Sequence, residues 1–343
     1  MQAVVKAARG HGHVELRDID PQSPGPGQVQ IKVEAAGVCG SDLHMYHDTI
    51  NYNIRTPVVM GHEFAGTVVA VGEGTDGTVA IGDRVTGEPS IFICRQCDYC
   101  RAGQYNMCPE RQVMGYYHDG CFASTVNATF VHQLPPSVSF EAGALTELLA
   151  CCVHSVIEQA GVTAGDTVVV IGPGPVGLFA SMVAMAEGGT VVLLGTSSDA
   201  ERLRFARDEL GMAHTIDVQS QEPRSVVADL TRGYGADVVV ECAGVAAAID
   251  TAFDVVRKRG RVTLMGLPGR KVEVDIEKIS YKELQVSGGI GQRRSAWERS
   301  LRLMETGAID GEKLISHELG LAEFQQGFEM MERQEGLKIL LRP

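Results

Sequence analysis

Positive charge, long apolar runs and repetitive sequence are all scarce in this chain of 343 residues. Lys and Arg number 30 against 43 Asp and Glu, a formal net charge of −13. Nucleic acid is therefore an improbable partner, because phosphate binding draws on clustered Lys and Arg. No apolar run approaches the roughly 20 residues that a bilayer-spanning helix needs, so no membrane segment is expected. The opening residues Met1-Gln2-Ala3-Val4-Val5-Lys6 read directly into a strand and lack the layout of a signal peptide. With no export signal, nine cysteines point to a reducing compartment, where they serve metals or cores rather than disulfides. A cytoplasmic location is expected. The chain has no internal repeat and no low-complexity segment. With 44% hydrophobic and 21% charged residues it has the composition of a folded protein.

What is present is length, glycine and a change of texture. The chain is too long for one compact core and suits two domains, and 40 glycines imply many tight turns and close backbone approaches. Residues 1 to about 150 read as short strands broken by Gly and Pro, among them Val29-Gln30-Ile31-Lys32-Val33 and the run from Phe64 to Val71. From about 150, strands alternate with amphipathic helices, the βαβ pattern of a parallel sheet. Val168-Val169-Val170-Ile171 is continuously apolar, as a strand buried on both faces should be. After about Gly288 the rhythm stops. Two helical segments and a last strand, Leu337 to Leu341, are expected to return to the first domain. The fold class is α/β: a β-rich domain from 1–150 and 289–343, and a doubly wound parallel-sheet domain from 151–288.

Gly172-Pro173-Gly174-Pro175-Val176-Gly177 fits G-x-G-x-x-G, with an apolar strand entering and an Ala- and Met-rich helix leaving. Gly172 would allow the tight turn, Gly174 the approach of a pyrophosphate, and Gly177 helix–strand packing. The pyrophosphate would sit on the helix N-terminus, where free N–H groups and the dipole favour anions. At the end of the second strand, an acid would accept from the ribose 2′-hydroxyl of NAD. Gly195-Thr196-Ser197-Ser198 stands there instead, with Asp199 delayed and Arg202 on the next helical turn. Hydroxyls and an Arg would tolerate a 2′-phosphate, so these residue types favour NADP; the plainer alternative is that the arginines form a solvated helix face.

Cys94-x2-Cys97-x2-Cys100-x7-Cys108 is the most specific signal. Four thiolates in a loop of about 90–110 suit a closed tetrahedral zinc, which would be structural. An iron–sulfur cluster remains an alternative for four cysteines, while a nucleic-acid-binding zinc module is disfavoured by the acidic charge balance. The catalytic candidate is Cys39 with His62 and Glu63. Glu63 precedes an apolar strand, and Glu147 lies inside the apolar run Leu145-Thr146-Glu147-Leu148-Leu149-Ala150. Buried carboxylates need partners, and a metal cation would compensate both. Mixed S, N and O ligands favour zinc, with an open position making the site catalytic.

Gly37-Val38-Cys39-Gly40-Ser41-Asp42-Leu43-His44, Gly61-His62-Glu63, the four-cysteine lobe and the later glycine fingerprint occur in one order along the chain. That set resembles the zinc-dependent medium-chain alcohol dehydrogenase family, and the Glu63 and Glu147 pattern is most similar to its sorbitol (polyol) and threonine dehydrogenase branches. The resemblance covers nearly the whole chain. It implies a GroES-like catalytic domain built from both chain ends, with a Rossmann domain between them. It implies that Cys39, His62 and Glu63 ligate a catalytic zinc, with Glu147 a ligand or one water away. Ser41 would hold the substrate hydroxyl and pass its proton towards His44, and Asp42 would orient His62. Ala243-Gly244, Gly266-Leu267 and Gly288-Gly289 would surround the nicotinamide. Two features depart from the branch: Leu148 follows Glu147 where a Pro is usual, and the second strand lacks its terminal acid.

The expected reaction is reversible hydride transfer between a secondary alcohol and NAD(P), with one catalytic and one structural zinc per subunit. Two competing readings are a reductase of activated carbonyls or enones on the same fold, and a catalytically silent, zinc-stapled binding protein. Tyr46, His47, Asn51, Tyr52 and Asn53 make one loop polar, which suits a sugar, polyol or amino-alcohol more than a fatty alcohol. The resemblance also implies a homodimer or homotetramer, assembled partly on edge strands such as Val272-Glu273-Val274.

Overall fold

A computed structural model describes residues 1–49, 52–75 and 77–343; Asn51 of the polar loop lies outside them. The chain divides into two compact units, 1–147 with 293–343, and 148–292. No helix among the described residues is long and apolar enough to cross a membrane.

In the first unit, strand Val29–Gly37 alternates, with Val29, Ile31 and Val33 buried and Lys32 exposed. It becomes buried at every position over Ala35-Ala36-Gly37, where the strand needs small residues to pass between neighbours. It pairs antiparallel with Glu63–Val71 on one side and with the C-terminal strand Lys338–Arg342 on the other. The last strand of the chain is thereby built into the same sheet as Val29–Gly37. Strand Ile315–Gly320 lies parallel to Lys338–Arg342; its polar sequence Ile-Ser-His-Glu-Leu-Gly gave no strand signal.

The second unit is a six-stranded parallel sheet. Its order is His214–Asp217, Thr190–Gly195, Thr167–Ile171, Ala236–Glu241, Val256–Leu264, Gln285–Gly288. The order 3-2-1-4-5-6 reverses direction between Thr167–Ile171 and Ala236–Glu241, where doubly wound sheets open a crevice at the carboxyl ends of their strands. One expectation is corrected. Val272-Glu273-Val274 is not a strand. Its alternation is real, but Val272 and Val274 pack against the sheet core without a ladder partner. The edge strand on that side of the sheet is Gln285–Gly288.

Candidate active site and metal centres

The first centre grows from the strand register. Gly37 stands opposite Glu63 in the ladder, and a Cβ on Gly37 would come within 2.2 Å of Glu63 Oε2. Only glycine lets the carboxylate lie across that strand. Immediately after it the chain turns at Cys39 into helix Gly40–Tyr46. Asp42 Oδ2 accepts from the Cys39 N–H at 2.8 Å, which caps the helix and holds the thiol at its start. The Cys39 sulfur, a His62 ring nitrogen and a Glu63 carboxylate oxygen all lie within 4.8 Å of one another. His62 and Glu63 are buried, and Glu63 is wholly so.

Glu63 has a protein partner that the sequence reading did not name. Lys338, itself 3% exposed, donates Nζ to Glu63 Oε2 and to the Val38 carbonyl, the latter at 2.9 Å. Glu63 Oε1 is left buried with no hydrogen-bond partner. An orphaned carboxylate oxygen among a thiol and an imidazole is what a divalent cation would satisfy. Asp42 Oδ1 stands 3.9 Å from His62 Nδ1, a charge contact rather than a hydrogen bond. Burial alone would push the His62 pKa down, but the Cys39 sulfur, Asp42 and Glu147 raise it to about 10. The pocket is thus electronegative despite Lys338.

Glu147 is buried in helix Thr146–Val153. Its charge acts on His62, Lys338 and Tyr116, but it is not among the three residues whose ligand atoms close within 4.8 Å. Ser41 Oγ is buried and makes no hydrogen bond of ordinary geometry. His44 lies one helical turn on, exposed, with Nδ1 3.0 Å from Thr49 Oγ1. Sequence reasoning missed Tyr116, a buried phenol whose ring centroid is 5.5 Å from that of His62 and 5.6 Å from that of Tyr52. Burial, Asp42 and Cys39 push its pKa well up while Ser41 pulls it down, so it stays a neutral phenol beside the cluster. Nothing in the motif spacing marks a tyrosine so far along the chain.

The four cysteines form the second centre, with all sulfurs within 4.8 Å. Cys94 Sγ and Cys100 Sγ are 3.9 Å apart, close to the roughly 3.8 Å edge of a zinc tetrahedron with 2.3 Å bonds. Backbone N–H groups of Cys97, Cys100 and Cys94 donate to Cys94, Cys97 and Cys108 sulfurs at 3.3, 3.4 and 3.4 Å, bonds that suit thiolates. The Gln96 and Cys97 amides draw the Cys94 pKa down to about 7. Burial and the neighbouring sulfurs push Cys100 up to about 12. Four thiolates cannot coexist so closely without a cation. Tyr105, inside this lobe, donates to buried Glu88 at 2.8 Å, and Glu88 also meets His132 Nε2 at 2.9 Å. The lobe is thereby tied to the sheet.

In the second unit, Gly172 has φ +100 and Gly174 caps helix Pro175–Ala186, with Pro175 and Val176 opening it. A Cβ on Gly177 would lie 1.9 Å from the Gly172 carbonyl, so helix and strand meet only through glycine. Ala243 and Gly244 N–H groups both donate to Glu241 Oε1 at 2.8 Å, and Gly266 packs on Gly244. These turns gather at neighbouring strand ends, with Leu267 exposed. Gly288 ends the edge strand, and Gly289 abuts Ser155. Thr196, Ser197 and Ser198 follow strand Thr190–Gly195, with half-buried Arg202 on the next helix.

Residues 25–136 match the family described as alcohol dehydrogenase GroES-like domain, and residues 175–306 the family described as zinc-binding dehydrogenase. A sorbitol dehydrogenase of Halalkalibacterium halodurans is 40% identical over 100% of this chain and 99% of its own. The chain belongs to the zinc-dependent medium-chain alcohol dehydrogenase family. It is a zinc-dependent oxidoreductase that works with NAD(P). A D-arabitol-phosphate dehydrogenase of Enterococcus avium is 35% identical to this dehydrogenase over 99% of this chain and 97% of its own. Among solved structures, a chain of Sinorhizobium meliloti described as a zinc-binding dehydrogenase and bound to NADP superposes with a TM-score of 0.88. It is 32% identical, over 100% of this chain and 99% of that one.

Proposed function

We propose that this dehydrogenase interconverts a secondary alcohol of a polyol, sugar or amino-alcohol with its ketone at a zinc held by Cys39, His62 and Glu63. The observation that carries the reading is the convergence of the Cys39 sulfur, a His62 ring nitrogen and a Glu63 carboxylate oxygen within 4.8 Å, on a carboxylate whose Oε1 is buried without a partner. When bound there, zinc supplies a Lewis acid that lowers the alcohol pKa and polarises the carbonyl in reverse. Ser41 holds the substrate hydroxyl and accepts its proton while handing its own on towards exposed His44, which releases one proton to solvent. When bound, NAD(P) would supply the hydride acceptor, so that oxidation of the alcohol would yield ketone, reduced cofactor and one proton. Asp42 fixes the helix that carries both groups. Glu147 adds negative charge and stands ready as a further ligand. Cys94, Cys97, Cys100 and Cys108 hold a second, structural zinc whose closed shell takes no part in the reaction.

The dinucleotide lies on Gly172, Gly174 and Gly177, with Ala243, Gly266, Leu267, Gly288 and Gly289 about its nicotinamide end. The residue types at 196–202 favour NADP, and the S. meliloti relative carries NADP; the hydrogen-bond directions at the same turn weigh the other way. Nine free cysteines suit a reducing cytoplasm, and the assembly is a homodimer or homotetramer, measurable by light scattering. A panel of polyols, sugars, sugar phosphates and threonine, read by nicotinamide absorbance, tests the substrate class. Turnover confined to long-chain primary alcohols would refute it.

A further inference from the structure

Where strand Thr190–Gly195 ends, three hydroxyl protons have definite destinations. Thr196 Oγ1 donates to Asp199 Oδ2 at 2.8 Å, since a carboxylate can only accept. That is the one hydroxyl proton Thr196 owns, so its 2.7 Å contact with Ser198 Oγ is donated by Ser198. Ser197 Oγ donates to Asp217 Oδ2 at 2.6 Å, at the end of the neighbouring strand His214–Asp217. Asp217 Oδ1 accepts from the Gln219 N–H at 2.9 Å, and Gln219 Oε1 accepts from the Ser197 N–H at 3.3 Å. The two strand ends are therefore laced together. The Ser197 hydroxyl and the Gln219 amide hold the Asp217 carboxyl below the usual carboxylate range, which keeps it anionic at neutral pH. Two of the three protons run to carboxylates and the third to the Thr196 oxygen, so none is left over and the hydroxyls have only lone pairs to offer a ligand. Arg202 lies in the field of Asp199.

We infer that this turn selects the ribose 2′-hydroxyl of NAD over the 2′-phosphate of NADP, and that Asp217, acting through Ser197, sets the selection. The inference rests on the dinucleotide site proposed above. A phosphate only accepts hydrogen bonds and needs donors or cations around it, whereas a ribose hydroxyl can donate into the exposed lone pairs. Counting residue types alone led to NADP, because a hydroxyl's direction is invisible in sequence.

Asp217→Asn reverses the arrangement. Its single side-chain oxygen must serve the Gln219 N–H, which can only donate, so the amide NH₂ faces Ser197 Oγ. Ser197 then accepts, its own proton is free for a ligand, and one negative charge is gone. Calorimetric titration of the full-length protein with 5′-AMP and with 2′,5′-ADP reads this directly. The wild type should bind 5′-AMP at least as tightly as 2′,5′-ADP. Asp217→Asn should move the affinity ratio towards 2′,5′-ADP by roughly tenfold or more, the scale of one hydrogen bond to a charged group. Ser197→Ala, which keeps the Asp217 charge, should not gain 2′,5′-ADP binding. A wild-type preference for 2′,5′-ADP, an unchanged ratio in Asp217→Asn, or the same gain in Ser197→Ala overturns the inference. If neither nucleotide binds the folded wild type, the dinucleotide reading itself fails, a result distinct from the other three.

Discussion

Lys338 donates to Glu63 in the buried floor of the proposed active site although the two lie 275 positions apart in the chain. The pairing follows from the C-terminal strand lying antiparallel to Val29–Gly37, which carries the ammonium past Gly37 to the carboxylate. In the proposed site the lysine and a divalent cation would share one anion: Oε2 meets the lysine, and Oε1, buried without a partner, would be left for the metal. Lys338→Met should leave an unpaired buried carboxylate and lower the stability of the zinc-free protein by about 3–5 kcal/mol. Zinc should recover much of that loss, because binding to the native state adds stability by mass action. Melting curves with and without zinc should therefore show a larger zinc-dependent rise in Lys338→Met than in the wild type; equal rises would mean that the two cations do not share the carboxylate.

Loss of each metal should have a different signature. Cys39→Ser should retain the fold and one zinc per subunit while turnover disappears. Cys97→Ser should lose the other zinc and lower the melting temperature, since a closed structural site contributes folding energy directly. Elemental analysis beside circular dichroism distinguishes the two.

The Ser41 hydroxyl is buried beside the Tyr116 phenol without a hydrogen bond of ordinary geometry, and the proposal gives it a substrate oxygen as partner. Ser41→Ala should lower kcat by roughly 10²- to 10⁴-fold, the range of a positioned proton carrier, with zinc content unchanged. Wild-type kcat in Ser41→Ala would remove the residue from the proton path.

Acid stability depends on the C-terminal strand. Arg342 donates to Glu141 and Glu318 and, at 2.7 Å, to the Glu34 carbonyl. Burial alone would raise the Glu141 pKa, but the Arg342 hydrogen bond takes it below the ordinary value of 4.5. A depressed carboxyl stabilises the fold above its unfolded pKa and loses that contribution as pH falls through the folded one. Glu141→Gln should thus weaken the protein at neutral pH and flatten its loss of stability below about pH 4.5, as followed by urea melts at several pH values.

What could be read in the sequence was contiguous. The four cysteines and the glycine fingerprint are set by short spacings that local turns close, and Cys39 meets His62 and Glu63 through the pairing of two strands that both read as strands. The parallel strands announced themselves as apolar runs. What stayed hidden depends on pairing across the chain. Lys338 reaches Glu63 only because the last strand returns, and Tyr116 reaches His62 from a loop with no periodic signal. Strand Ile315–Gly320 is too polar to be recognised, while Val272-Glu273-Val274 alternates for packing and finds no ladder partner. The direction of the Thr196, Ser197 and Ser198 hydroxyls depends on Asp217, which is supplied by a different strand.

Zinc-dependent oxidation at Cys39, His62 and Glu63 is tested most directly by following metal content and turnover together during chelation. The wild type should start with two zinc ions per subunit, lose the more accessible one first, and lose alcohol-dependent reduction of the nicotinamide in proportion. Readdition of zinc should restore turnover. Full turnover persisting after that first zinc has left would contradict catalysis at this cluster.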